Sequence, residues 1–364
     1  MEIGSEFYLE EKYQSSDKNL FNRIISSYHS LGAENIFYCG SGRSALILLI
    51  DTLLKEQPEI DSIILPAFLC ESIIDPFLSR GIKCYFYKAN LLNEYDLELI
   101  EPLLRKNCIF YYIDYFGFEN DLFTDKLCKL KKKKDFILVN DITHSLFTKK
   151  KTAISSDFYI ASIRKWLGVP SGGILLNNSK LKIFNYEDSK DTDFSRVRLV
   201  ALKSKKMYMR GLTGNKENFL RLFSDGEKIL ENYSQVLPMD EISQKIISNY
   251  DYDKMINQRR KNYNVLLKGI NENSNLKILN KHLGRNTCPM FFVIRNNKRS
   301  DLQQYLVKNH IYAPIHWPKP KVLEDCKINF NDREYRELLS IPCDQRYNVK
   351  DMKRIAEIIN VWSE

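Results

Sequence analysis

Residues 36–45 read Ile36-Phe37-Tyr38-Cys39-Gly40-Ser41-Gly42-Arg43-Ser44-Ala45 and continue into the apolar stretch Leu46-Ile47-Leu48-Leu49-Ile50. A short aromatic and branched run, a glycine turn and a long apolar stretch predict a strand, a tight turn and a helix. The unit then repeats: strand-like runs at 62–67, 83–87, 108–114 and 136–141 are interleaved with helical spacing at 71–80 and 97–106. Strands interleaved with amphipathic helices argue for an α/β fold, a mainly parallel sheet flanked by helices.

Beyond residue 180 the pattern changes. Residues 180–265 lack strand runs and carry charged helical spacing, closing with the helical stretch that begins at Tyr252. From 286 onward come a strand-like run at 288–295, a helix at 301–310, a strand-like run at 311–317 and a final helix at 351–362. This is the pattern of a smaller α+β C-terminal domain. We place the large domain at 1–245, with residues 1–30 as an N-terminal arm, and the small domain at 246–364.

Composition narrows the function classes. The chain has 364 residues and 44% hydrophobic content, enough for a sizeable core. No apolar run is long enough for a membrane span, and the start of the chain is polar and acidic, so a cytoplasmic protein without membrane insertion is expected. The eight cysteines (Cys39, Cys70, Cys84, Cys108, Cys128, Cys288, Cys326, Cys343) form no Cys-x-x-Cys pair, and no histidine stands beside them at ligand spacing. Reduced thiols and no metal are the expectation. Lysine and arginine exceed the acids, 55 against 46, which suits an anionic substrate and equally a basic surface. The densest run, Lys131 to Lys134, reads as a solvated helix end, and no basic patch interleaved with aromatics points to nucleic acid.

Three segments carry chemistry, each at the C-terminal end of an expected strand, where open parallel sheets bind ligands. Gly40-Ser41-Gly42-Arg43-Ser44-Ala45 brings free amides at a helix start, suited to a phosphate. It also matches the G-x-G-x-x-A dinucleotide fingerprint, which requires an acid at the end of the next strand. Asp61 stands at the start of that strand, and its end is Pro66-Ala67-Phe68. Asp141 closes the second segment, followed by Ile142-Thr143-His144-Ser145. A carboxylate there can keep a pyridine nitrogen protonated, although a strand-end aspartate is often only a cap. The third segment runs from Asp157 through Ser162-Ile163-Arg164-Lys165-Trp166 to Ser171-Gly172-Gly173. A lysine among apolar neighbours is expected to be desolvated, and with Arg164 beside it the amine is freed for imine chemistry.

Taken in order, Ser-Gly-Arg-Ser-Ala-Leu, Leu-Pro-Ala-Phe-Leu-Cys, Asn-Asp-Ile-Thr-His-Ser and Ser-Ile-Arg-Lys-Trp with Ser-Gly-Gly resemble the DegT/DnrJ/EryC1/StrS sugar aminotransferase-like family. These are fold-type I enzymes that use pyridoxal 5'-phosphate (PLP), and the resemblance runs from about residue 36 to the C-terminus. It implies that Lys165 carries the cofactor and moves protons, and that Asp141 pairs with its ring nitrogen. Ser162 and the amides of Gly42, Arg43 and Ser44 would hold its phosphate, with His144 near its hydroxyl. The family stacks an aromatic residue on the ring at the position of Cys70, and Phe68 is the expected substitute. Its Gly-x-Asn-x-Arg segment is absent, with Pro238 to Ser243 in that place. The resemblance further implies a homodimer that moves an amino group, from glutamate, to a nucleotide-linked keto sugar for surface polysaccharide such as O-antigen or capsule. His316, Trp317 and Arg346 are the substrate-side candidates from the small domain. A different keto substrate and a non-catalytic PLP-fold protein are the rival readings.

Overall fold

The computed structural model describes residues 2–10, 20–26, 35–89, 91, 97–118, 121–149, 156–183, 190–213, 215–324 and 332–363. Its strands are β1 (Ile3–Gly4), β2 (Ile36–Cys39), β3 (Ser62–Pro66), β4 (Lys83–Tyr87), β5 (Cys108–Ile113), β6 (Ile137–Asp141), β7 (Phe158–Ser162), β8 (Gly173–Asn177), β9 (Leu276–Ile278), β10 (Phe292–Asn296), β11 (Ile311–Tyr312) and β12 (Leu338–Ile341). Seven of them form one sheet in the order β2-β8-β7-β6-β5-β3-β4.

The burial of each strand follows from its place in that order. Every residue of β3, β5, β6, β7 and β8 is buried, as expected for interior strands covered on both faces. The edge strands β2 and β4 keep partly or fully exposed positions. Pairing is parallel from β4 through β7. β8 runs antiparallel to both β7 and β2. This antiparallel insertion falls between the strand-like runs recognised at 136–141 and 288–295 and is not itself among them, and Gly173 makes it possible: a Cβ there would fall 2.0 Å from the Ser41 carbonyl oxygen.

The helix Gly42–Glu56 packs a nearly all-apolar face against the sheet and starts with Ser41 as N-cap, whose hydroxyl accepts from the Ser44 amide. The lysine run falls in the last turn of Asp121–Lys134, as its composition predicts, and Lys131 there binds Asp157 at 2.6 Å. The charged middle forms the helices Asp193–Met209, Lys216–Asn232, Glu241–Ser248 and Tyr252–Gly269.

A second, three-stranded antiparallel sheet, β12-β10-β9, packs with the helices Tyr252–Gly269, Arg299–Lys308 and Val349–Ser363 around Leu266, Leu302, Leu306, Ile355 and Ile359. The stretch 311–317 is strand only at Ile311–Tyr312, where it pairs in parallel with β1. Thus the start of the chain lies on the small unit, with Ile3 in its core. Among the described residues no helix is long and apolar enough to cross a membrane, and no cluster of His, Cys, Asp and Glu could hold a metal ion. Seven cysteines are free thiols; Cys326 lies outside the described residues.

Candidate active site

A cavity of about 240 Å³ opens at the C-terminal ends of β6 and β7. It is lined by Ser41, Gly42 and Arg43 from the helix start and by Asp141, Thr143, His144, Ser162 and Lys165 from the ends of β6 and β7 and the turns after them. All three sequence segments therefore converge on one space. Gly42 lets the helix start lie close to β7: a Cβ there would meet the Ser162 Cβ at 3.2 Å. The hydroxyl of Ser162 has no hydrogen-bond partner among the described residues, while its amide donates to Thr143 Oγ1 at 3.1 Å. Ser44 does not line the cavity: its amide donates to the N-cap Ser41, whose hydroxyl lies 3.2 Å from its own. Arg43 leans away to Asp75 at 3.4 Å.

Asp141 is buried, and its carboxylate accepts from the Tyr111 hydroxyl at 2.8 Å and the Thr143 amide at 2.8 Å. Burial raises its pKa above the usual carboxylate range, and these two neutral donors offset that only in part. An acid facing a cavity with neutral partners is a place prepared for a cation. His144 accepts the Phe116 amide on Nδ1 at 3.3 Å, so a neutral ring carries its proton on Nε2. Burial and the nearby Lys165 charge press its pKa down to about 3.

Lys165 sits in a single 3₁₀ turn, Ile163–Lys165, directly after β7. The expectation that it would be desolvated fails: Ile163, Trp166 and Leu167 take the buried positions, and Lys165 is exposed into open space. The turn is held from below. The Trp166 Nε1 donates to the Thr143 carbonyl at 2.6 Å, the Arg259 guanidinium lies 4.5 Å from the Trp166 ring, and Gln345 donates to the Trp166 carbonyl at 2.8 Å. Sequence reasoning did not single out Arg259 or Gln345, which clamp the lysine's turn from the small unit.

A second cavity, of about 420 Å³, meets the first along Arg164, Lys165 and His316. Its walls come from Ser5 to Phe7, Tyr312 to Pro314, and Asp344 with Arg346. His316 faces both spaces, its Nδ1 2.8 Å from Ser340 Oγ, and burial with the neighbouring His144 and Lys165 holds its pKa well below the ordinary value. Arg346 is not free for a substrate. Asp344 takes it at 2.8 and 2.9 Å, the carbonyls of Ser5 and Glu6 accept from it, and it lies over the Phe7 ring. Its work is to hold the N-terminal segment.

Phe68 likewise does not line the first cavity. It is packed behind it, between Trp317 at 5.2 Å and Tyr335 at 5.0 Å, with Tyr115 donating to its carbonyl. Cys70 and Trp317 reach the wall instead. Asp61, the alternative dinucleotide acid, stands before β3 and binds Arg105 at 2.8 Å. Pro238 and Asp240 serve the fold: Pro238 bridges to Cys39, and Asp240 caps Glu241–Ser248 and accepts from Ser171.

No protein-family model and no curated protein matches this chain. Solved structures do. Helicobacter pylori PseC, an aminotransferase of pseudoaminic acid biosynthesis, superposes with a TM-score of 0.68 at 13% identity, covering 99% of this chain and 98% of that one. Spr1654 from Streptococcus pneumoniae, described as a putative sugar aminotransferase, matches in its PMP form with a TM-score of 0.68 at 14% identity over 99% of both chains. A DegT DnrJ EryC1 StrS aminotransferase from Brucella abortus matches with a TM-score of 0.60 at 13% identity, over 96% and 91%.

This chain has the sugar-aminotransferase fold. Spr1654 is also known in a PLP form, and the residues gathered at the end of this sugar-aminotransferase sheet fit that cofactor. The Asp141 carboxylate suits its ring nitrogen, the amides at the start of Gly42–Glu56 and the unpartnered Ser162 hydroxyl suit its phosphate, and the exposed Lys165 amine suits its aldehyde.

Proposed function

We propose that the protein is a PLP-dependent aminotransferase of the DegT/DnrJ/EryC1/StrS type, taking an amino group from glutamate and giving it to a nucleotide-linked keto sugar. The observation that carries this reading is that Asp141, at the end of β6, and Lys165, just past β7, open on one cavity that the helix start at Ser41–Arg43 also lines. The bound cofactor supplies an electron-withdrawing ring and a carbonyl carbon that holds the amino group between substrates.

The chain's own residues supply the rest. Asp141 keeps a proton on the ring nitrogen through charge pairing, and its hydrogen bonds from Tyr111 and Thr143 fix the carboxylate plane. Lys165, held only through its own turn, can swing its amine between anchoring the cofactor and carrying a proton across the substrate carbon. With Nδ1 accepting the Phe116 amide, His144 would have Nε2–H left to donate to the ring hydroxyl of a bound cofactor. The larger cavity beyond Lys165, with Ser5–Phe7 as part of its wall, receives the substrates.

To the same reading belong the division into a cofactor-holding unit, residues 1–245 apart from the N-terminal strand that docks on its neighbour, and a small unit, residues 246–364, assembly as a homodimer, and service in surface-polysaccharide synthesis. The visible spectrum tests it. Purified protein with PLP should absorb near ~420 nm and shift towards ~330 nm when glutamate is added. A protein that stays colourless and binds no PLP would end the proposal in favour of a non-catalytic role; colour without a glutamate shift would point to another donor.

A further inference from the structure

The wall of the cofactor cavity formed by Cys70 and Trp317 holds an exchange of parts between the two units. The loop after β3 offers the cavity only Cys70, a small thiol that accepts from the Ser72 hydroxyl at 3.1 Å. A thiol has no flat face on which a pyridine ring can lie. The flat face comes from elsewhere. Trp317, on the segment after β11, lines the same cavity and stacks on His144, with ring centroids 5.4 Å apart and planes within 22°.

The plane of that indole is fixed from behind. Phe68 backs Trp317, and Tyr335 backs Phe68. Tyr335 is itself tied to the β3 loop, its hydroxyl donating to the Ala67 carbonyl at 2.9 Å and accepting from the Leu69 amide at 3.1 Å. His144 is fixed from its own side by the Phe116 amide. Four rings, Tyr335, Phe68, Trp317 and His144, thus form a continuous tier from residues of the small unit to the cofactor cavity. The β3 loop contributes backing, and residue 317 contributes the surface.

We propose that Trp317 is the ring-stacking residue for the cofactor, so that the small unit, not the β3 loop, covers one face of the pyridine ring. This rests on the PLP reading above. A planar ring against indole prefers an offset or tilted stack, and the contribution of such a pair corresponds to roughly a tenfold change in a dissociation constant. Because the stacking group rides on the small unit, cofactor occupancy and the seating of that unit are coupled.

The test is PLP titration of the full-length protein, read by the visible band and by its induced circular dichroism, in Trp317→Phe and Trp317→Leu. Both variants fill the space, and only one keeps an aromatic face. We expect Trp317→Phe to stay within about twofold of the native dissociation constant and Trp317→Leu to weaken it about tenfold with a changed induced band. Trp362→Phe, a tryptophan packed against the small-unit core, controls for tryptophan loss and should leave both readouts unchanged. Equal binding and equal induced bands in the Phe and Leu variants would overturn the stacking role while leaving the PLP reading intact. Failure of the native protein to bind PLP at all would overturn the PLP reading and this inference with it.

Discussion

Arg198 reaches Glu6 at 3.3 Å across 192 residues of sequence, and its other amino group meets Glu227 at 2.8 Å. Arg164, next to Lys165, meets the same Glu227 oxygen at 2.9 Å. Burial alone would raise the Glu227 pKa, but the two guanidinium groups overcome it and hold the acid down to about 2. The N-terminal segment, the helix pair 193–232 and the lysine's turn are thereby tied in one ionic chain.

That chain predicts an unequal pair of variants. Arg198→Ala strips both Glu6 and Glu227 of a partner and should lower stability. The loss should fall below the ~3–5 kcal/mol of a fully buried pair, because both carboxylates are nearly half exposed. Glu6→Gln keeps a polar contact and should cost less than half as much. Urea melts of the two variants decide it, and equal losses would contradict the shared role of Arg198.

Acid should loosen the fold through the cavity histidine. The folded His144 resists protonation down to about 3, whereas in the unfolded chain it ionises near 6.5. Between those values the unfolded state holds more protons, so stability declines as pH falls from about 6.5. His144→Asn removes one such group and should flatten the decline of the melting temperature between pH 6.5 and 4. Parallel curves for native and variant protein would refute the assignment.

Removal of the Asp141 charge separates binding from turnover. Asp141→Asn relieves a buried carboxylate and should leave the cofactor-free fold at least as stable, since burial disfavours that charge. The first half-reaction with glutamate should nevertheless slow by ~10²-fold or more, the usual cost of deleting a preorganised electrostatic partner. Stopped-flow rates within tenfold of native would show that the ring nitrogen does not depend on this acid.

Cys70 serves as a reporter of cavity filling. It lines the cavity, whereas Cys39, Cys108, Cys288 and Cys343 are buried. Burial lifts the Cys84 thiol to about 12, which makes it sluggish towards alkylation. Iodoacetamide labelling at Cys70, located by peptide mass, should slow at least about tenfold when PLP is bound. Unchanged labelling would mean that the cofactor lies elsewhere.

Much of this was legible in the chain. The runs at 62–67, 83–87, 108–114 and 136–141 are strands because each is bounded by turn residues and rich in branched and aromatic side chains, a signal carried locally. Asp141, Ser162 and Lys165 were legible for the same reason, each at or just past a strand end. What escaped depends on partners distant in sequence. Arg198, Lys205 and Glu227 fall in the charged helical stretch 180–265, whose spacing does not show that Arg198 and Lys205 are buried and pair with residues near the start of the chain. Phe68 is expected at the ring only as the substitute for the aromatic that Cys70 replaces, and the sequence does not show that Tyr115 and Tyr335 hold it behind the cavity wall. Arg346 read as a substrate cation because the sequence does not show the carbonyls of Ser5 and Glu6 arriving against it.

The pairing of β1 with β11 has a consequence in time as well as in space. The Gly4 amide donates to the Tyr347 hydroxyl at 2.7 Å across 343 residues, and Gly4 itself, at φ 93° and with a Cβ position 2.2 Å from the Tyr312 carbonyl oxygen, accepts no side chain. Contacts of such long loop closure form late. On the ribosome the seven-stranded sheet can collapse as soon as residue 177 has emerged, while Ser5–Phe7 wait for a docking strand that has not yet been made. The large sheet can therefore form while the space beyond Lys165 still stands open, and that space closes only when the small unit has folded.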